Sequence, residues 1–168
     1  MIKEVRLNYI LATSENWQRI TLACDELGWN KSAIVKQMLH GFFRRDGKFY
    51  AEAGIMDAEA RGLTEEDYFN CLRDESEEAL RPYTGDRPLF GQSPIDATPP
   101  LPTDDSLKRK YNVIGLSAYN FVLLKVAKIV HRDSFVQVVS RMIVKHLNDN
   151  WEAVYQPQID RDRTSKFL

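Results

Sequence analysis

The chain has 168 residues, 43% of them hydrophobic and 28% charged, with a formal net charge of −1 and two cysteines. It is long enough for one compact domain with an insertion, or for two small ones. No apolar run is long enough to cross a bilayer and no signal-peptide pattern is visible, and Cys24 and Cys71 lack CxxC spacing, so the expectation is buried thiols in a reducing cytoplasm.

Near the start, Val5, Leu7, Tyr9 and Leu11 alternate with Arg6, Asn8 and Ile10, the period of a half-buried strand. Thr13 or Ser14 then offers an N-cap to a helix carrying Trp17, Ile20, Thr21, Cys24 and Leu27, and Gly28 stops it. Asn30 caps a second helix with Ile34, Val35, Met38, Leu39 and Phe42 as its apolar stripe. Residues from Phe49 to about Glu59 read as a helical continuation. Thr64 with Asp67 resembles a capping box that opens a further helix to about Leu80. Its apolar face is Tyr68, Phe69, Cys71, Leu72 and Leu80, opposite Asp74, Glu75, Glu77 and Glu78. Six prolines between Arg81 and Asp105 predict an extended, partly mobile linker.

The opening pattern then returns. Tyr111, Val113 and Gly115 alternate with Lys110, Asn112 and Ile114; Ser117 caps a helix to about His131, and Ser134 caps another to about Trp151. Residues 109–151 thus repeat residues 5–47 at an offset of 104, which sets Asn8 on Asn112, Thr13 on Ser117, Trp17 on Phe121 and Met38 on Met142. Each copy is too short to bury much surface alone, so the two are expected to share one core. The expected organisation is repeat 1 over 1–48, a helical acidic insertion over 49–80, a Pro-rich linker over 81–106, repeat 2 over 107–155 and a frayed tail over 156–168.

Charge divides along the same lines. Residues 1–50 carry a balance of +3, residues 51–107 one of −10 and residues 108–168 one of +6. Two basic modules around an acidic middle suit a protein that tracks phosphates, although ordinary surface charge would account for either basic value alone.

Strand, N-cap, helix, Gly28-Trp29-Asn30-Lys31-Ser32-Ala33-Ile34, helix resembles the ribbon-helix-helix family of DNA-binding proteins, the Arc, MetJ and CopG type. The resemblance covers about half of the chain, in two blocks. It implies a mainly α fold with a short β-ribbon (α+β), in which outward strand side chains read bases in the major groove. Those would be Arg6, Asn8, Lys108, Lys110 and Asn112, since Arg or Lys pairs with the guanine O6/N7 edge and Asn with the adenine N6/N7 edge. A one-residue slip would instead expose Leu7, Tyr9 and Leu11; counting back from the aligned N-caps favours it, whereas the burial it would impose on Arg6 and Asn8 disfavours it.

The second helix of each copy presents unpaired N–H groups at its positive end, which suit a phosphate. Asn30, Lys31 and Ser32 fit that role in copy one, and Arg132, Ser134 and Phe135 stand at the corresponding place in copy two, where Asp133 would repel it. Helix capping by Asn30 and Ser134 would occur in either case.

Family members usually dimerise to build the ribbon. Here one chain could supply both strands as an intramolecular pseudo-dimer, a TraY-like arrangement, or each copy could pair in trans with a second chain through self-association. The function implied is sequence-specific binding of double-stranded DNA without a cofactor or metal, as a transcriptional regulator in the cytoplasm at the nucleoid. Plasmid copy control, partition and conjugation use the same ribbon. A protein-interaction or antitoxin-like module is the alternative from another class, with Tyr68, Phe69 and Trp151 as exposed anchors or the acidic segment 64–80 as the partner-binding element. Catalysis has little to rest on, because His40, His131 and His146 show no triad or ligand spacing and the Asp104-Asp105 and Asp160/Asp162 pairs lie in linker and tail.

Overall fold

A computed structural model describes residues 1–168. Strand β1 (Ile2–Arg6) and strand β2 (Tyr9–Leu11) lead into helix α1 (Ser14–Leu27) and helix α2 (Lys31–Ala60). Helix α3 (Glu65–Asp74) and a short turn at Glu77–Ala79 follow. Strand β3 (Lys108–Lys110), strand β4 (Val113–Ser117), helix α4 (Ala118–His131) and helix α5 (Phe135–Asn150) then repeat the first order, and helix α6 (Gln156–Ser165) closes the chain.

The two copies pair with each other inside one chain. β1 runs antiparallel to β4 with Ile2 opposite Ser117 and Val5 opposite Ile114, and β2 runs antiparallel to β3 with Tyr9 opposite Lys110 and Leu11 opposite Lys108. Between them the Leu7 N–H donates to the Asn112 carbonyl at 2.8 Å and the Tyr111 N–H to the Asn8 carbonyl at 3.3 Å, so a single register runs the length of one two-stranded ribbon.

Alternation along the ribbon changes phase in the middle. Val5 and Leu7 are buried and Arg6 and Asn8 exposed, but beyond Asn8 it is Ile10, only 1% exposed, that enters the core, with Leu11 buried beside it. The expectation that Ile10 faces outward with Arg6 and Asn8, and Tyr9 inward, is therefore corrected. Burying an aliphatic side chain such as Ile10 stabilises by about 2 kcal/mol, whereas the Tyr9 phenol keeps water and takes the Lys108 ammonium over its ring at 4.7 Å. The second strand slips at the equivalent place, between exposed Asn112 and half-buried Val113, with Ile114 and Leu116 buried beyond it.

The starts of α1 to α5 are each held by a local side chain. Thr13, Asn30, Thr64, Ser117 and Ser134 accept from the N–H groups of Asn16, Ala33, Asp67, Asn120 and Gln137, respectively. Gly28 ends α1 at φ 71°, a conformation that suits a residue without Cβ. Arg132 ends α4 at φ 52° in the equivalent position and carries the strain that Gly28 avoids.

α2 crosses α5 so closely that a Cβ on Gly41 would stand 2.9 Å from His146 Nε2. Ile34, Val35, Met38, Leu39 and Phe42 of α2 and Val138, Val139, Met142, Ile143 and Leu147 of α5 belong to one continuous core shared by both copies. A backbone amide of the ribbon is tied into the same layer, the Leu11 N–H donating to Ser140 Oγ at 3.0 Å.

Three segments differ from expectation. α3 stops at Asp74 instead of running to Leu80, because Asp74, Glu75, Glu77 and Glu78 would crowd like charges at the negative end of the helix dipole. The proline-rich segment is extended but anchored: Ile95 is fully buried, Arg141 donates to its carbonyl at 2.8 Å, and Arg87 donates to the Ile129 and Val130 carbonyls at 2.9 Å. Residues 156–165 are helical, not frayed, with Ile159 buried and Arg163 paired with Glu26 at 2.9 Å, and only the last three residues leave the helix, with Phe167 and Leu168 exposed. A π-helical turn at Trp151–Tyr155 separates α5 from α6, where the Asn150 amide turns back onto the His146 carbonyl at 2.8 Å and Pro157 follows in the next turn.

The insertion is fastened by a buried carboxylate. Asp57, at 0% exposure, accepts from the Tyr68 hydroxyl at 2.8 Å, the Tyr83 hydroxyl at 2.5 Å and Arg61 Nε at 2.9 Å. One charge thereby ties the end of α2 to α3 and to the start of the proline-rich segment.

Candidate nucleic-acid interface

Arg6, Asn8, Lys110 and Asn112 are all exposed and, with Leu7 and Tyr111, line one open concavity of about 510 Å³ in the middle of the ribbon. At the repeat offset Arg6 corresponds to Lys110 and Asn8 to Asn112, so the concavity straddles the pseudo-two-fold axis. None of the four side chains pairs with another group of the protein. The quartet thus offers two cations and two amides to an outside partner, with unequal cations: a rigid guanidinium fork on one strand and a mobile ammonium on the other.

The fifth base-contact candidate is placed differently. Lys108 is half-buried and pairs with Asp105 at 3.0 Å while lying over Tyr9, so its charge is partly answered inside the protein. Two neighbours that alternation assigns to the interior join the site instead. Arg109 lies over the Trp17 ring at 5.2 Å, with Lys31 near the same ring at 5.8 Å, and Trp17 Nε1 is steadied by the Leu107 carbonyl at 2.7 Å. The Tyr111 hydroxyl stands 3.2 Å from the Ser32 hydroxyl and donates to the Ser32 carbonyl at the same distance. The signal for Arg109 was present as the third charge in Lys108-Arg109-Lys110; the signal for Tyr111 was not, because its contact lies 79 residues away in sequence.

The phosphate candidates fall into two unlike groups. At the start of α2, Asn30 Oδ1 accepts from the Ala33 N–H at 2.7 Å, Ser32 is exposed, and Lys31 forms no ion pair. At the start of α5, Ser134 Oγ accepts from the Gln137 N–H at 3.2 Å and its own N–H is taken by Asp133 Oδ1 at 2.8 Å. Arg132 is exposed, but the Phe135 ring packs into the core beneath Lys128, whose ammonium lies 4.5 Å from it. That Lys128 pairs with Glu77 at 2.6 Å. Burial works to raise the Glu77 carboxyl, yet the Lys128 hydrogen bond holds it below the usual range.

The aromatic anchors expected for a protein-interaction surface are largely interior: Tyr68 and Trp151 are buried and Phe69 is half-buried against Gly54. The histidines serve helix packing. His131 Nε2 lies 2.9 Å from the Tyr50 hydroxyl, His40 Nδ1 lies 3.2 Å from the Asn120 amide, and His146 Nε2 lies 2.8 Å from the Tyr155 hydroxyl. Burial lowers His146 to about 4 and raises Tyr155 to about 12, so both stay neutral near pH 7. Both cysteines are free and half-buried. No helix is long and apolar enough to cross a membrane.

Fold and site together define a mainly helical α+β protein, folded around a short antiparallel ribbon that displays basic and amide side chains. Comparison with family models, with curated proteins and with solved structures finds no match.

Proposed function

We propose that the chain is a tandem ribbon-helix-helix protein that binds double-stranded DNA sequence-specifically, with the central ribbon entering the major groove. The observation that carries this reading is the convergence of Arg6, Asn8, Lys110 and Asn112, exposed and unpaired, on one concavity of the ribbon. A two-stranded ribbon has the width of the groove, and these side-chain types match guanine and adenine edges. Lys31, Ser32 and Arg109 beside the ribbon suit the flanking phosphates. Because Arg6 and Lys110 occupy equivalent positions but differ in geometry, the two halves of the binding site are expected to differ in sequence.

Control of transcription is the role this architecture most often serves, and plasmid copy control, partition or conjugation would use the same surface. The test is anisotropy titration of a random duplex across a salt series, followed by selection of an operator from a random pool. The Asn8→Ala/Asn112→Ala variant should retain salt-dependent binding to the random duplex and lose its preference for the selected operator. Absence of binding to any duplex at low salt would refute the proposal.

A further inference from the structure

The two ends of the ribbon are electrostatically unlike. At the β2·β3 end stand Lys108, Arg109 and Lys110, with Lys31 at the start of α2 facing the same Trp17 ring as Arg109. Only Lys108 of these four is ion-paired. At the β1·β4 end the position equivalent to Lys108 is exposed Glu4, and the position equivalent to Arg109 is buried Val5.

The insertion deepens the contrast. It lies along β1 and α4 and takes up the cations of that flank one after another: Asp74 lies 4.0 Å from Lys3, the Glu75 carbonyl accepts from Lys125, and Glu77 pairs with Lys128. Its turn continues to Glu78, which, with Glu77, Lys128, Arg132, Asp133 and Ser134, lines a concavity of about 390 Å³ at the start of α5. In copy one Cys24 replaces Lys128, Gly28 replaces Arg132 and Trp29 replaces Asp133, and in place of the paired Glu77 and Glu78 there is Asp25, at the position of Ile129, lining a concavity with Trp17 and Arg109. The insertion is not free to drift away, because Tyr68 and Leu72 of α3 are buried and the Asp57 carboxylate holds its base.

We propose that the acidic insertion makes the grip on DNA one-sided: the backbone is held at the α2 end by Lys31, Ser32 and Arg109 and is repelled from the α5 end by Glu77 and Glu78. The inference rests on the DNA-binding reading above. It makes the insertion a determinant of footprint, replacing the two equivalent phosphate clamps of a symmetric ribbon with a single one. Each phosphate contact steepens the salt slope by about 0.9, which corresponds to about a threefold loss of affinity between 50 and 200 mM salt.

The experiment is a salt series of anisotropy titrations on a random 20-bp duplex with the full-length chain. Lys31→Gln should flatten the slope by about 1 and Arg132→Gln should leave it unchanged. Glu77→Gln/Glu78→Gln should steepen the slope by about 1 and tighten binding severalfold at low salt. Glu78→Lys should act in the same direction, and because Glu78 forms no ion pair it leaves the Glu77–Lys128 contact intact. Equal losses for Lys31→Gln and Arg132→Gln, with no gain from either acidic-turn variant, would show a two-sided clamp and overturn the proposal while leaving DNA binding standing. Failure of wild type to bind at low salt would bring down both readings together, whatever the acidic-turn variants do.

Discussion

Gly41→Ala sets two known effects against each other at the crossing of α2 and α5. In an isolated helix the change favours folding by about 1 kcal/mol, because alanine is the better helix former. Here the new methyl would lie 2.9 Å from His146 Nε2 and nearer still to Cε1. The ring cannot swing aside cheaply: it is buried, with Nε2 at 2.8 Å from the Tyr155 hydroxyl and Nδ1 at 3.3 Å from the Asn150 amide. Overpacking of this kind costs about 1–3 kcal/mol, and each displaced hydrogen bond about 1 kcal/mol more. The clash wins, and the net expectation is a loss of about 2 kcal/mol after the propensity gain. Urea unfolding of wild type, Gly41→Ala, His146→Ala and the double variant closes a cycle. Alanine at 41 should destabilise the wild-type background and be neutral or stabilising once the imidazole is gone. A rise in the urea midpoint for Gly41→Ala alone would refute the close crossing and the register of the two copies that depends on it.

Arg132→Gly should raise the melting midpoint by the equivalent of about 1 kcal/mol, since it relieves a side chain held at φ 52°; no gain in calorimetry would count against that backbone conformation. Burial holds His146 at about 4, against about 6.5 in the unfolded chain. The neutral ring therefore stabilises fully above about pH 6.5, and this contribution is lost as pH falls toward 4, bounded by about 3 kcal/mol. Urea midpoints at pH 7 and 4.5 should show the drop, and His146→Gln should flatten it. Asp57→Ala strands two tyrosine hydroxyls and the Arg61 guanidinium and should cost about 3 kcal/mol, with proteolysis of the 81–105 segment accelerating before the rest of the chain.

Features set by neighbours in sequence were legible before the structure. The side-chain caps at Thr13, Asn30, Thr64, Ser117 and Ser134 each need only an acceptor three residues upstream of the N–H it satisfies. The exposure of Arg6, Asn8, Lys110 and Asn112, four of the five side chains expected on the outward face, follows from a period of 2 that holds from Lys3 to Asn8 and around Lys110; the fifth, Lys108, is half-buried. Counting back from the N-caps favours the phase found at Tyr9 and Ile10, and the polar residues favour the opposite phase found up to Asn8; that both hold, and meet at Asn8–Tyr9, has no local trace because the helices packed beneath decide it. Single-residue anchors escaped for a similar reason. Ile95 amid prolines and Ile159 amid charges have no apolar partners at helical or strand spacing, so periodicity has nothing to register. The Glu77–Lys128 contact, spanning 51 residues, had no local trace at all.

Pairing the ribbon within one chain has a consequence for synthesis. Ile2 finds its partner only when Ser117 has been made. At roughly 5–20 residues per second that interval is roughly 6–23 s, during which the first strand has no edge to join and Val5, Leu7 and Ile10 have no lid. In an assembly of separate subunits that wait would end at a rate set by protein concentration. Here it ends at a time set by the ribosome, and the nascent amino-terminal third is the stretch most in need of a chaperone's shelter.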